Sequence, residues 1–174
     1  PSRRRERTVL AVGRLVPLKG FDLLIEAFAR AAERHPDWKL RILGEGESRA
    51  DLARAIASSG LSDRVSMPGF TDNVREEMQR AGLFVLSSRF EGFPMALLEA
   101  MSQGLACISF DCETGPGELI DHCKNGWLVP ANDVPALADA LDILMGDAAL
   151  RERLGSRASE VGNTYSLPRV LDQW

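Results

Sequence analysis

The chain has 174 residues, 45% of them hydrophobic and 26% charged, with a net charge of -4. That length can bury a real core in a single domain, and the mildly acidic balance excludes a nucleic-acid binder built on a basic face. No apolar run approaches the roughly 18 residues that span a bilayer, and no signal-peptide pattern is present, so the expected setting is cytoplasmic.

Residues 1–7, with Arg3, Arg4, Arg5 and Arg7, read as a basic linker ahead of one domain over 8–174. A first strand is expected at 8–12. Gly13-Arg14-Leu15-Val16-Pro17-Leu18-Lys19-Gly20 then forms a glycine-bounded loop that delivers two cations beside a strand end. Phe21, Leu24, Ile25, Phe28, Ala31 and Ala32 recur at helical spacing, with Glu26, Arg30, Glu33 and Arg34 facing outward. A second strand over 38–43, a turn at 44–47 and a helix over 49–58 closed by Gly60 follow. A short strand at 65–67 ends at Pro68-Gly69, and Asp72 or Asn73 caps a helix over 74–80.

The most informative stretch is 83–110. Residues 83–86 and 106–110 are continuous apolar runs without alternation, the pattern of strands buried on both faces of a parallel sheet. Between them Pro94 suits a first helical position and Gly104 the residue past the helix end. A loop over 111–118 then enters a short helix, and Asn125-Gly126 turns into a strand at 127–129. Segments 135–145, 150–161 and a last piece from Leu167 are helical by period. The fold class is therefore α/β: a Rossmann-like, doubly wound parallel sheet of about six strands flanked by helices. Ligands of such sheets sit beyond the carboxyl ends of the strands, where the loops at 13–20, 44–47, 68–72, 88–94 and 111–118 gather.

Neither common nucleotide loop is present. Lys19 precedes the last glycine of its loop, against the Walker pattern, and Arg49 stands where a dinucleotide fingerprint needs its third glycine. Glu99, by contrast, is a lone acid in an apolar helical stretch, with no lysine or arginine three or four residues away. Either it is held near the core by donors from elsewhere, or it lies on an exposed edge. Glu91 stands in the loop aimed at the same helix N-terminus, where free amides and the helix dipole favour a phosphate. Two acids around an anion site suit a sugar nucleotide, one acid on each flanking diol. Asp111-Cys112-Glu113 is the nearest approach to a metal-binding acid pair, and no metal is expected. His35 and His122 read as surface residues. Cys107, Cys112 and Cys123 match no zinc spacing, and Cys107 reads as core in a protein of the reducing cytosol.

Phe90-Glu91-Gly92-Phe93-Pro94 followed by Leu98-Glu99-Ala100-Met101 resembles the glutamate, seven residues, glutamate signature of retaining glycosyltransferases of family 4. Gly13-Arg14 and Lys19-Gly20 are similar to that family's first phosphate loop. Gly115-Pro116-Gly117-Glu118 resembles its Gly-Pro-Ser-Glu segment, with glycine at 117 where serine is commoner. The resemblance implies the carboxyl-terminal, donor-binding half of a GT-B fold, with Glu91, Arg14 and Lys19 as the catalytic groups. Gly13, Arg14, Lys19, Glu91, Gly92, Phe93, Pro94, Met95, Leu97, Leu98 and Glu99 would bind the donor, and Met67, Gly69 and Phe70 the nucleobase.

The implied substrate is a nucleotide-sugar, a UDP-sugar in the first instance, and no cofactor is implied. The implied partners are an amino-terminal acceptor domain missing from this chain, which would leave the chain alone inactive, and a lipid-linked acceptor at the inner membrane surface. A non-catalytic nucleotide-sugar-binding module and half of a sugar-nucleotide 2-epimerase are the alternatives.

Overall fold

The computed structural model describes residues 4–165. Six strands form one parallel sheet: β1 (Thr8–Val12), β2 (Lys39–Leu43), β3 (Val65–Gly69), β4 (Leu83–Leu86), β5 (Cys107–Asp111) and β6 (Trp127–Pro130). Their order is β3-β2-β1-β4-β5-β6, so the chain winds outward from β1 in one direction and then, through β4, in the other. This is the doubly wound sheet that the alternation of apolar runs and helical periods implies. The reversal between β1 and β4 opens the crevice where two loops diverge.

Alternate residues of each strand feed two cores. Val9, Ala11, Leu40, Ile42, Val85, Ile108 and Phe110 pack under α1 (Phe21–Ala32), α2 (Arg49–Ser58) and α6 (Val134–Met145). Leu10, Phe84, Leu86 and Cys107 face α3 (Val74–Arg80), α4 (Met95–Ser102) and α7 (Ala148–Thr164). Short α5 (Pro116–Leu119) completes the set. Among the described residues no helix is long and apolar enough to cross a membrane.

Several boundaries differ from those expected, each for a local reason. The loop at 13–20 contains a turn of 3-10 helix at Pro17–Lys19. β3 runs on to Gly69 because the Gly69 carbonyl accepts from the Gly44 amide. Asn73 occupies the N-cap of α3 without a side-chain cap bond, and Thr71 Oγ1 accepts from the Asn73 amide instead. Pro94 is the N-cap of α4 and not its first helical residue. α6 and α7 start early because Asp133 and Asp147 accept from the amides of Ala136 and Leu150. The helix expected from Leu167 lies outside the described residues.

The helices run antiparallel to the strands, so their carboxyl ends gather at the amino edge of the sheet, and arginines bind them there. Arg5 donates to the carbonyls of Met78 and Ala81 at the end of α3 and of Gln103 at the end of α4. Arg64 donates to Ala32 and His35 after α1, and Arg151 to Leu144 and Met145 of α6. A cation on carbonyl oxygens at the negative end of a helix is favourable. Arg5, expected in a solvated segment, is thus bonded to the body of the domain. Burial lowers the pKa of its guanidinium, with a smaller opposing effect from Cys107.

Candidate active site

The helix amino ends and the strand carboxyl ends meet at the opposite edge, where five loops are laced together. The Gly13 amide donates to the Leu43 carbonyl and the Leu15 amide to the Glu45 carbonyl, tying the β1 loop to the β2 loop. Gly44 lies so close that a Cβ there would fall 1.8 Å from the Gly13 carbonyl oxygen, at a φ of +145°. Gly20 has a φ of +64°, and a Cβ would fall 1.9 Å from the Ser87 carbonyl oxygen. No other residue type permits these two backbone contacts.

The β1 loop thereby brings Lys19 onto the β4 loop. Lys19 Nζ donates to Glu91 Oε1 at 2.8 Å, and Ser88 Oγ donates to the same oxygen at 2.7 Å. The Glu91 side chain is 9% exposed and that of Lys19 25%, so the pair sits at the edge of the core with the cation outward. A buried carboxylate with two donors meets the requirement that a buried charge be paired. Arg14, on the same loop, is exposed and makes no ion pair among the described residues.

At the start of α4 the Met95 amide donates to the Phe93 carbonyl and the Leu98 amide to the Pro94 carbonyl. Pro94 has no amide hydrogen. The amides of Ala96 and Leu97, in the first turn of α4, find no acceptor among the described residues. The Ala96 amide is not among the groups that the sequence motif singles out. The Leu97 and Leu98 side chains are core, and of their amides that of Leu98 is already bonded to the Pro94 carbonyl.

Glu99 is exposed, as are Met95 four residues before it and, in part, Ser102 three after, which together form the outward stripe of α4. The reading that places it near the core is corrected; the exposed-edge alternative holds. It lines a concavity of about 260 Å³ with Arg75, Met78 and Gln103, so the neighbouring cation comes from α3. At the end of β3 the Met67 carbonyl is held by Arg49 Nη1, whose other nitrogens bind Glu45. Gly69 is buried and Phe70 is 79% exposed.

The β5 loop closes the set. Thr114 Oγ1 donates to the Glu91 carbonyl, and Gly115 abuts Pro94 and the Gly92 carbonyl. At 117 a Cβ would stand 3.0 Å from Asp111 Oδ1, so glycine in place of serine leaves that carboxylate room. Burial and then the Glu91 charge raise the pKa of the Cys112 thiol. Among the described residues no group of three or more His, Cys, Asp and Glu could hold a metal ion. His35 is half-buried against Asp142 at 2.8 Å, and His122 accepts from the Leu128 amide; both lie away from these loops. Sequence reasoning misses Ser87, Arg89 and Thr114, whose bonds to distant backbone leave no periodic signal, and Ser88, whose hydroxyl donates to the Glu91 carboxylate three residues on. A cavity of about 340 Å³ opens at the other edge, beside Thr8, Lys39, Arg41 and Arg64, far from this chemistry.

The model of the glycosyl transferases group 1 family matches residues 1–161. The chain belongs to that family. An exopolysaccharide phosphotransferase of Streptomyces coelicolor is 41% identical over 169 residues, covering 97% of this chain and 18% of that protein. Among solved structures, a complex of a mutant Staphylococcus aureus TarM with fondaparinux, α-GlcNAc-glycerol and UDP superposes with a TM-score of 0.93 at 30% identity. It covers 100% of this chain and 36% of TarM. The carboxyl-terminal domain of the group 1 protein LpcC from Francisella tularensis gives a TM-score of 0.83 at 26% identity, covering 92% of this chain and 87% of that one. The chain spans between 18% and 48% of the first curated relatives it matches.

Proposed function

We propose that this chain is the donor-binding domain of a retaining glycosyltransferase of family 4, which transfers a sugar from a UDP-sugar to a glycan or glycolipid acceptor. The observation that carries the reading is the Lys19–Glu91 pair, held 2.8 Å apart with Glu91 on the loop that leads into α4, whose Ala96 and Leu97 amides have no acceptor among the described residues. A cation and two amides at a helix N-terminus receive a diphosphate, and exposed Arg14 adds a second cation. Cleavage of the bond between the anomeric carbon and the diphosphate oxygen leaves the electron pair on that oxygen. Fixed positive charge at Lys19 and Arg14 stabilises it as it forms.

In this reading Glu91 accepts from the sugar hydroxyls and Glu99, on the exposed stripe of α4, from the ribose. Met67, Gly69 and Phe70 border the nucleobase. The UDP in the TarM complex supports uridine as the base. The acceptor binds in the rest of a longer protein, so this chain alone binds donor without transferring sugar, and a lipid-linked acceptor would bring the whole protein to the cytoplasmic face of a membrane. No observation favours the epimerase or the non-catalytic module. A calorimetric panel of UDP-, GDP- and ADP-sugars tests the reading: a UDP-sugar is expected to bind at least tenfold tighter than the others, and equal or absent binding of all three would overturn it.

A further inference from the structure

We propose that Arg89 is a positioning residue, which holds Lys19 in place by bonding the backbone of its turn on one side and the Asp22 carboxylate on the other. The inference rests on the reading of Lys19 as a phosphate-binding cation.

The 3-10 turn that carries Lys19 exposes three successive carbonyls, those of Pro17, Leu18 and Lys19, and the β4 loop bonds all three. Arg89 Nη1 donates to the Pro17 carbonyl, the Arg89 amide donates to the Leu18 carbonyl at 2.9 Å, and Ser87 Oγ donates to the Lys19 carbonyl at 2.9 Å. The same guanidinium then spans the turn. Its Nη1 and Nη2 reach Asp22 Oδ1 at 3.0 Å and Oδ2 at 2.7 Å, in the first turn of α1.

Arg89 is thus bonded before Lys19, at Pro17, and after it, at Asp22, and Gly20 lies against the Ser87 carbonyl between them. An ordinary surface ion pair of Arg89 with Asp22 would require none of the carbonyl contacts. The arrangement also has a direction. The segment 87–91 carries both the clamp and Glu91, the group to which Lys19 Nζ is bound at 2.8 Å, so the cation and its partner are referred to one piece of backbone. The planar guanidinium matches both oxygens of the Asp22 carboxylate while its Nη1 also reaches the Pro17 carbonyl, a geometry that the point-like ammonium of lysine does not reproduce.

The test uses the whole chain and two measurements. Amide hydrogen exchange without nucleotide reports the turn, through the Lys19 and Gly20 amides bonded to Val16 and Pro17. Calorimetry with UDP reports the cation. Arg89→Ala should speed exchange at Lys19 and Gly20 by about tenfold or more while β1 amides keep their rates, and should weaken UDP about tenfold. Arg89→Lys should behave in the same direction and restore neither fully; it carries the comparison if the alanine variant does not fold. Lys19→Ala should weaken UDP by at least as much, and Arg89→Ala added to it should cost nothing further.

Unchanged exchange at Lys19 and Gly20, or losses of UDP affinity that multiply in the double variant, would overturn the assignment. If the unmodified chain binds no UDP, the proposed function falls, and the exchange measurement still decides whether Arg89 clamps the turn.

Discussion

Removing the Lys19 side chain tests whether its bond to Glu91 is a structural ion pair as well as a binding group. Lys19→Ala leaves a carboxylate whose side chain is 9% exposed with the hydroxyl of Ser88 as its remaining donor. Breaking a fully buried pair costs about 3–5 kcal/mol, and an exposed one about 0–1 kcal/mol. Because Lys19 is 25% exposed, solvent screens part of the loss, and about 1–3 kcal/mol is expected. For a chain of this length each kcal/mol moves the melting temperature by about 2–4 °C, so the drop should lie between about 2 and 12 °C. Glu91→Gln keeps an acceptor for both Lys19 and Ser88 and should cost less. The double variant, with no unpaired charge, should be more stable than Lys19→Ala alone. Thermal unfolding of the four proteins measures this coupling. An unchanged melting temperature in Lys19→Ala, or a double variant that shows the simple sum of the two losses, would refute the argument.

Three further outcomes are expected. Glu99→Gln should weaken UDP and UDP-sugar alike, by about ten- to a hundredfold for one charged hydrogen bond, whereas Glu91→Gln should spare UDP and weaken only the sugar-bearing donor; equal calorimetric losses for UDP would rule out this division. Donor binding should survive EDTA and weaken as salt rises, because Arg14 and Lys19 supply the charge; loss of affinity on chelation contradicts that. Burial raises the pKa of Asp22, but the Arg89 hydrogen bonds and charge outweigh it and bring the carboxyl below its ordinary value. The stabilisation is therefore fully present above the unfolded value of about 3.9 and is lost as pH falls through the folded one. Thermal unfolding between pH 2 and 6 should show an acid loss that Asp22→Asn reduces.

The sheet was legible because its central strands are unbroken apolar runs. Residues 83–86, read as a strand buried on both faces, form β4 with all four residues buried. The helical period from Phe21 gives the observed start of α1 and its buried face, although the helix ends at Ala32, before the Glu33 and Arg34 that the period includes. What the sequence conceals is the exposure of single polar groups and the bonds that cross the chain. Glu99 looked misplaced because seven apolar or small residues surround it, yet spacing alone sets it with Met95 and Ser102 on the one narrow exposed stripe. Pairing of Arg89 with Asp22 spans 67 positions, and Ser87 and Thr114 bond to backbone carbonyls, which no pattern of side-chain types encodes. Arg5 appeared as one of several basic residues in a tail, since the helix ends it binds come together only in the folded chain.

A structure of this chain with UDP bears most directly on the account. The diphosphate should lie within about 3.5 Å of the Ala96 or Leu97 amide and of Lys19 Nζ, with the ribose at Glu99. A nucleotide bound at the opposite edge of the sheet, or with every phosphate oxygen more than about 4 Å from those groups, would contradict it.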